Sequence, residues 1–387
     1  MFDKIKGGEY MVEVFMLPVE EGDFLWLRYG KDKKSNILID GGPKGFGDLY
    51  KDVLLSIYNR DEIVEAVIFT HIDNDHIQGA LEGLANTPKE IVQKIVKRIY
   101  FNTCNAIQRE LSLKKSDCAE EKILVPIWNE KYGVEEAITL LDVLKNQGLS
   151  DRLTDFVVAG QQYDFEDNVK IKIISPNEKE LEKLAKEWKE ESCKKREKDI
   201  LYGVDSETHY KKDLDELKKV QMGSDSRVNN RSSIAFLFLY HDIKMLFLGD
   251  ANPKICVDGA KSMGITFPYN VDLIKLSHHG SKANTSNRLL KSFPTQYYLV
   301  STDGSGMKVP NKAVLAHLLA VNENNKEPVW LFCNYEWWED SYHGWYFSEN
   351  DKKKYLDTGR LKVCFLDENG VEIKGGVKVY GKCSEVG

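Results

Sequence analysis

The stretch VIFTHIDNDHIQGA, Val67–Ala80, sets two histidines and two aspartates within six positions, directly after an apolar, β-branched run. The run EAVIFTH reads as a buried strand and IQGALEGLA as the start of a helix. Side chains of alternate residues on an extended chain point the same way. His71, Asp73 and Asp75 therefore converge if the chain stays extended, and His76 joins them as the chain turns into the helix. Imidazole nitrogens and carboxylate oxygens are the donors expected for Zn²⁺, Mn²⁺ or Fe. Crowding four such groups beside a core is expensive unless a cation offsets their desolvation.

Two further strand ends carry the same kinds of residue. KMLFLGDA ends an apolar run on Gly249 and Asp250, and VDLIKLSHHGSKANTS places His278 and His279 just past another, followed by Gly280 and Ser281. The chain has eight histidines, and four of them lie in these two histidine-bearing segments. Taken alone, Asp250 also reads as an N-cap before NPKICVDGA, and the histidine pair as a surface turn. Three such features in this order, each at a strand end, favour one metal site over three coincidences.

Working outward, YMVEVFMLPV, DFLWLRYG and NILIDGG alternate like strands, and DLYKDVLLSIYN reads as a helix. VKRIYFN, VKIKIISP, SIAFLFLY, IKMLFLGDA, VDLIKLSHHGS, TQYYLVST and PVWLFCN are further strands, with helices near 253–263, 284–292 and 311–320. Strands alternating with helices predict a layered α/β protein, and the two strand groups predict two similar half-sheets facing each other. Residues 104–150 read as a mixed, mainly helical interruption. Residues 177–220 interleave both charge signs, as a solvated helical insertion does; a lid or a partner surface is the alternative. The tail LKVCFLDENGVEIKGGVKVYG reads as one or two hairpins.

The totals set limits. The chain has 387 residues, 42 % hydrophobic and 30 % charged, a globular balance. No apolar run approaches the roughly 18 residues of a membrane span, and MFDKIKGGEYMVEVF has no signal-peptide core, so the expected location is the cytoplasm. Seven cysteines without a CxxC pair predict neither a disulfide framework nor a cysteine zinc site. The net charge of −7 speaks against a broad basic surface for gripping nucleic acid.

The motifs together resemble those of the metallo-β-lactamase-fold hydrolases. ILIDGG, with Asp40, Gly41 and Gly42, resembles the early aspartate turn of that family. THIDNDHIQGA resembles its HxHxDH signature with aspartate at the second histidine, FLGDA the later bridging aspartate, and LSHHGS the last histidine ligand. The HxDxDH form followed by HHGS, with NNRSSIAFLF (Asn229–Phe238), is most similar to the branch holding the nuclease-like domain of competence-type DNA-uptake proteins. The similarity covers roughly residues 10–305.

This resemblance implies an αββα four-layer sandwich over residues 1–350, with helical insertions at about 104–150 and 177–220. Residues 351–387, which the resemblance does not cover, are read as a C-terminal β-hairpin extension packed on the same domain. The resemblance also implies two divalent ions, Zn²⁺ or Mn²⁺. His71 and Asp73 would hold one and Asp75 and His76 the other, with Asp250 bridging. One of His278 and His279 would complete the second ion's ligands, with His278 favoured as the first residue after the strand. Asp40 would brace the ligand loop by hydrogen bonds, with Gly41 and Gly42 in the same turn. The family often supplies another histidine before the late aspartate; here only His209 and His241 lie in that interval, and Asn229 or Asn230 stands in that region instead.

Two ions about 3.5–4 Å apart lower the pKa of a bridging water and stabilise charge on the attacked centre. Asp75 and Asp250 are then the catalytic carboxylates, one accepting the nucleophile's proton. Three aspartate ligands make Mn²⁺ a rival to Zn²⁺. Ser281 and Lys282, with Asn229, Asn230, Arg231, Ser232 and Ser233, suit phosphate oxygens, although the serines also read as turn formers. The expected function is a metal-dependent phosphodiesterase or nuclease on a small or single-stranded nucleotide substrate. Hydrolysis of a lactam, lactone or thioester is one alternative; a non-catalytic subunit that binds a partner through 177–220 is another. The aromatic run from Trp330 to Tyr346 offers base stacking or ordinary core packing.

Overall fold

The computed structural model describes residues 12–31, 33–113, 125–129, 134–138, 140–191, 210–223, 225–305, 309–339, 346–373 and 375–383. Its eighteen described strands form two eight-stranded sheets and one separate hairpin. The first sheet uses β1 (Val12–Met16), β2 (Phe24–Tyr29), β3 (Ser35–Asp40), β4 (Ile63–Ile68), β5 (Ile99–Tyr100) and β8 (Leu153–Thr154). β17 (Val371–Ile373) and β18 (Val377–Tyr380) complete it, in the order β17-β18-β1-β2-β3-β4-β5-β8. The second uses β9 (Gln162–Asp164), β10 (Lys170–Ser175), β11 (Ala235–Tyr240), β12 (Ile243–Phe247), β13 (Leu273–Lys275), β14 (Tyr297–Val300), β15 (Val329–Cys333) and β16 (Leu361–Phe365), side by side in sequence order.

The sheets face each other across a shared apolar layer. Val14, Leu25, Leu27, Ile37 and Ile39 of the first meet Ile171, Phe236, Phe238, Met245 and Phe247 of the second. These are alternate positions along each strand, as the two-residue period requires. The opposite face of the first sheet (Trp26, Leu38, Val64, Val67) packs on α1 (Gly47–Asn59), α2 (Asn74–Asn86), α3 (Lys89–Ile95), α4 (Cys104–Glu110), α5 (Leu140–Gln147) and α6 (Glu178–Glu191). The outer face of the second (Leu237, Leu246, Ile274, Tyr298) packs on α7 (Leu214–Leu217), α9 (Pro253–Ser262), α10 (Asn287–Ser292) and α11 (Lys312–Val321). A further short helix, α8 (Val228–Arg231), precedes β11. The layers run helix, sheet, sheet, helix. This is the αββα sandwich the motifs predict.

Three expectations change. The 104–150 interruption holds a two-stranded hairpin, β6 (Val125–Asn129) and β7 (Val134–Ile138), between its helices. The tail holds one hairpin, β17–β18, but it also adds a strand to each sheet: β16 lies parallel to β15 in the second, whereas β18 lies parallel to β1 in the first. In the charged stretch, α6 buries Leu181, Leu184 and Ala185 against the first helical layer, so a face that reads as solvated is partly core. The spacing of these three is helical, but the flanking Lys and Glu residues mask it. Residues 192–209, His209 and much of the first insertion lie outside the described residues, and no helix among those described is long and apolar enough to cross a membrane.

β3 runs parallel to β4, and β12 parallel to β13, so the carboxyl ends of all four open at one edge of the sandwich. β2 and β11 run against their neighbours β3 and β12, which brings the residues before them, Asp23 and Asn229–Ser233, to the same edge. Crevices beyond the carboxyl ends of parallel strands are where open α/β sheets bind ligands.

Candidate metal centre

The first wall of the site is a braced turn. β3 ends on Asp40, whose φ of +57° turns the chain at once. Gly41 follows against α2: a Cβ there would stand 2.6 Å from the Ala80 backbone nitrogen, so only glycine lets the helix approach. The Gly41 N–H donates to the His76 carbonyl (2.7 Å) and the Gly79 N–H to that of Gly42 (2.9 Å), which pins the first turn of α2. Asp40 accepts from the Thr70 N–H (2.7 Å), the Thr70 hydroxyl (2.7 Å) and His76 Nδ1 (2.8 Å). Thr70 Oγ1 in turn lies 3.0 Å from His71 Nδ1. One carboxylate thus orients two histidines, directly and through a hydroxyl.

The second sheet supplies the opposite wall. Gly249 takes a φ of +48° and passes so close to Ser233 and Thr70 that a Cβ would meet both. Asp250 follows, its N–H on Ser233 Oγ (3.1 Å). His278 and His279 are both left-handed, with φ of 48° and 54°. That tight turn sends consecutive imidazoles into the same crevice rather than to opposite faces. His279 Nδ1 donates to the Ser301 carbonyl (2.8 Å), and His278 Nδ1 to Asn284 Oδ1 (2.9 Å). The Asn284 orientation follows from its amide group donating to Asp225 (2.7 Å) and to the Asp250 carbonyl (2.9 Å).

All four histidines are therefore held by Nδ1 and turn Nε2 inward. Asp250 stands between them. Its Oδ2 is 3.7 Å from Nε2 of both His71 and His278, and its Oδ1 is 3.5 Å from Nε2 of His76. Asp73 Oδ2 lies 3.5 Å from His71 Nε2. Asp75 Oδ2 lies 3.6 Å from His76 Nε2 and 3.4 Å from His279 Nε2. Two groups result, His71, Asp73 and His278 on one side of Asp250 and Asp75, His76 and His279 on the other. Of the two neighbours left open by the sequence, His279 stands beside Asp75, which also approaches His76, and the favoured His278 stands beside Asp250 Oδ2, as His71 does. His241, one of the two histidines between His76 and Asp250, sits in the β11–β12 turn at the far end of both strands.

Buried Nε2 atoms of His71, His76 and His279, and Oδ1 of Asp250, have no hydrogen-bond partner. Orphaned donors and acceptors that converge on one point are costly and fit divalent cations. The electrostatics agree. Burial pulls His76 down, but Asp250, Asp75 and Asp40 outweigh it and hold it well above the usual imidazole range. His71 and His279 are raised in the same way against their burial, by Asp73 and Asp250 and by Asp23, Asp75 and Asp250 respectively. Burial pushes Asp250 up, yet the four imidazoles hold it well below the carboxylate range. His278 is lowered by burial and by Arg227.

Several residues expected at the substrate turn inward instead. Asn230 is buried and donates to Asp225 (2.6 Å). Ser232 Oγ bonds the Asn229 carbonyl (2.7 Å), Ser281 Oγ accepts the Ala283 N–H (3.2 Å), and Ser233 serves Asp250. These hydroxyls shape turns, the alternative reading of a serine beside a tight bend. Arg231 forks onto Glu180 of α6, with both bonds 2.9 Å. Asn229 donates to Asp73 Oδ1 (2.7 Å) and so fixes a first-group carboxylate. Lys282 is half-buried, as Asn229 and Arg231 are, and its backbone N–H donates to Asn311 Oδ1 (2.8 Å). The aromatic run is mainly core: Trp337 and Tyr346 are buried, Trp330 stacks on Phe332, and Tyr342 and Trp345 lie outside the described residues.

Sequence reasoning misses Asp23, Asp225, Arg227 and Asn284. Asp225 accepts from Asn230, Asn284 and the Arg227 N–H, and its carbonyl takes Asn252. Asp23 pairs with Lys275 (2.5 Å) and stands 3.5 Å from His279 Nδ1. The only local sign is the polar run GSDSRVNNRSS before an apolar strand.

No protein-family profile and no curated protein sequence matches the chain. Solved structures do. CmlA, a diiron β-hydroxylase from Streptomyces venezuelae, is 10 % identical over 93 % of this chain and 53 % of its own, with a TM-score of 0.37. This chain thus spans about half the length of that protein. Tm1679, a metal-dependent hydrolase of the β-lactamase superfamily, is 9 % identical over 92 % of this chain and 95 % of its own (TM-score 0.35). The metallo-β-lactamase MIM-1 from Novosphingobium pentaromativorans is 10 % identical over 83 % and 92 % (TM-score 0.31). None of these three is described as a DNA-uptake nuclease, and that narrower likeness rests on the motifs alone.

Proposed function

We propose that the protein is a metal-dependent hydrolase that uses two divalent ions, Zn²⁺ or Mn²⁺, to cleave phosphodiesters. The observation that carries this reading is the set of four histidines, each anchored at Nδ1, with Nε2 of His71, His76 and His278 beside the two oxygens of Asp250 and Nε2 of His279 beside Asp75. His71, Asp73, His278 and Asp250 would hold one ion. Asp75, His76, His279 and Asp250 would hold the other. Such a pair of ions supplies an activated water and stabilises charge that develops on the attacked centre.

The chain's own residues supply position and charge. Asp40 and Asn284 fix the imidazoles, and Asn229 fixes Asp73. Asp250 is fully enclosed, whereas Asp75 is about one-third exposed (32 %). Asp75 is thus the one of these two carboxylates within reach of solvent, and against its burial His76 and His279 hold it well below the usual carboxylate range, so it stays ionised. Half-buried Lys282, and a nucleotide or short single strand as substrate, fit such a crevice on a chain of net charge −7.

The test is elemental analysis of protein purified without chelator or added metal, followed by assay on bis-(p-nitrophenyl) phosphate with Zn²⁺ and Mn²⁺. Near two ions per chain and ion-dependent cleavage are expected. Two ions with no cleavage of this ester, but turnover of a lactam or thioester, would move the substrate class to acyl compounds. Little metal after reconstitution would overturn the reading.

A further inference from the structure

Asp225 acts on the crevice at one remove. Its side chain is enclosed, with 4 % exposed. Oδ2 accepts from the side-chain amides of Asn284 (2.7 Å) and Asn230 (2.6 Å), and Oδ1 accepts the Arg227 N–H (2.9 Å). The Asp225 N–H donates to the Ala283 carbonyl (3.1 Å), which pins the carboxylate beside Asn284. A carboxylate only accepts, so Asn284 must turn its NH₂ towards it. The Asp250 carbonyl, at 2.9 Å, takes the second hydrogen of that group. The amide is planar, and its Oδ1 is left facing His278 Nδ1 at 2.9 Å. Nδ1 of the neutral ring therefore carries the proton, and Nε2 keeps its in-plane lone pair beside Asp250 Oδ2 (3.7 Å). One nitrogen of Arg227 lies 2.9 and 3.1 Å from the two ring nitrogens, so the guanidinium covers the ring face and leaves that lone pair open.

The segment that carries Asp225 serves one half of the crevice. Asn229, in the same segment, donates to Asp73 Oδ1 (2.7 Å). Asp225 and Asn229 thus support His278 and Asp73, both members of the first group. Other parts of the chain hold the second group. His76 is fixed by Asp40 at the end of β3, and His279 by the Ser301 carbonyl just past β14. Asp40 reaches both groups, since it also holds Thr70, whose hydroxyl meets His71. The supports of the two groups are therefore unequal: one is shared, and one belongs to the first group.

Resting on the two-ion reading above, we infer that Asp225 is a positioning residue for one ion alone. Through Asn284 it sets the tautomer and the direction of His278, and with them the affinity of the first ion. The second ion is held independently of it. The two ions are then separable by substitution at a residue that touches neither.

The experiment compares the wild-type chain with Asp225→Ala, Asn284→Ala and the double variant. Mn²⁺ binding is read from the electron paramagnetic resonance signal of the free ion. The protonated nitrogen of His278 is read from ¹⁵N-edited spectra of the ion-free proteins. In Asp225→Ala, one ion should bind about 10–100-fold more weakly, the loss typical of a partner behind a metal ligand, and the other as in the parent. The Nε2–H tautomer of His278 should appear. The double variant should bind no more weakly than Asn284→Ala, because the two residues act in series. Asn230→Ala removes the other amide bond to the same Asp225 oxygen and should leave both ions unaffected, which separates positioning from a loosened segment. Asp225→Asn keeps one acceptor oxygen and should show a smaller loss of the same ion; it serves where the alanine variant does not fold. Both ions weakened alike, neither weakened, or losses at the two positions that add would overturn the role of Asp225 and leave the two-ion reading standing. A wild-type chain that binds no Mn²⁺ or Zn²⁺ would overturn both.

Discussion

At the scale of single residues, Asp40 does more than its distance from the crevice suggests. It takes three hydrogen bonds, two from Thr70 and one from His76, and reaches His71 through the Thr70 hydroxyl. Asparagine in its place keeps the shape but must turn an amide donor towards one of those donors. Asp40→Asn should bind ions about 10–100-fold more weakly, measured by competition with a chromogenic chelator; unchanged affinity would remove Asp40 from the support of the site. The histidines make a second prediction. His71, His76 and His279 are raised by the carboxylates around them, so at a given pH they hold more protons than free imidazoles do, and an incoming ion must displace them. Ion uptake should therefore release protons, and affinity should rise with pH from about 6 to 8. Calorimetric titration in two buffers of different ionisation enthalpy reads this directly. Equal heats in both would mean that the imidazoles are neutral before the ion arrives.

At the scale of elements, the two sheets are locked together beside the site by a buried ion pair. Lys275 at the end of β13 and Asp23 before β2 are both enclosed, with Nζ and Oδ2 2.5 Å apart. Lys275→Met leaves a carboxylate buried without its partner next to His279. Breaking such a pair costs about 3–5 kcal/mol, to be seen as a lower midpoint in urea unfolding. Adding Asp23→Asn should recover most of that loss, because the stranded charge is then gone. A single Lys275→Met variant as stable as the parent would show that water reaches Asp23. The pairing of Arg231 with Glu180 works in the same way on α6. It ties the charged helix to the short helix that carries Asn229, and it explains why an arginine expected at the substrate faces away from it.

At the scale of the whole molecule, the tail closes the structure. β18 lies parallel to β1, with Val12 opposite Val377, and the β17–β18 hairpin buries Ile373, Val377 and Val379 in the layer between the sheets. Removal of residues 368–387 should destabilise the chain by several kcal/mol, since each such side chain contributes about 1.5–3 kcal/mol, and it bares the edge of β1 to self-association. Thermal melting and light scattering check this. A truncated chain that stays monomeric and melts within about 2–4 °C of the parent would make the tail an appendage after all.

The αββα class follows from the resemblance of the motifs; the sequence by itself determined the alternation of strands and helices, the two strand groups, and the residues gathered at the strand ends. Each of these is written in short-range pattern: a two-residue apolar period, costly polar groups just past a buried run, and glycines where the backbone must turn tightly. What only the tertiary structure decided is which groups meet. His278 and His279 are adjacent and chemically identical, and their partners are set by two left-handed residues and by Asn284 and Ser301, which lie 6 and 22 positions away. Asn230, Ser232 and Ser281 look exposed in a polar run, yet they satisfy buried backbone and Asp225. The split of the tail between two sheets depends on edges formed more than three hundred residues earlier, in the case of β1 and β18. Such long-range pairings leave no local periodicity, because the physical condition they meet is the satisfaction of hydrogen bonds and charges in a crevice that exists only when both sheets are in place.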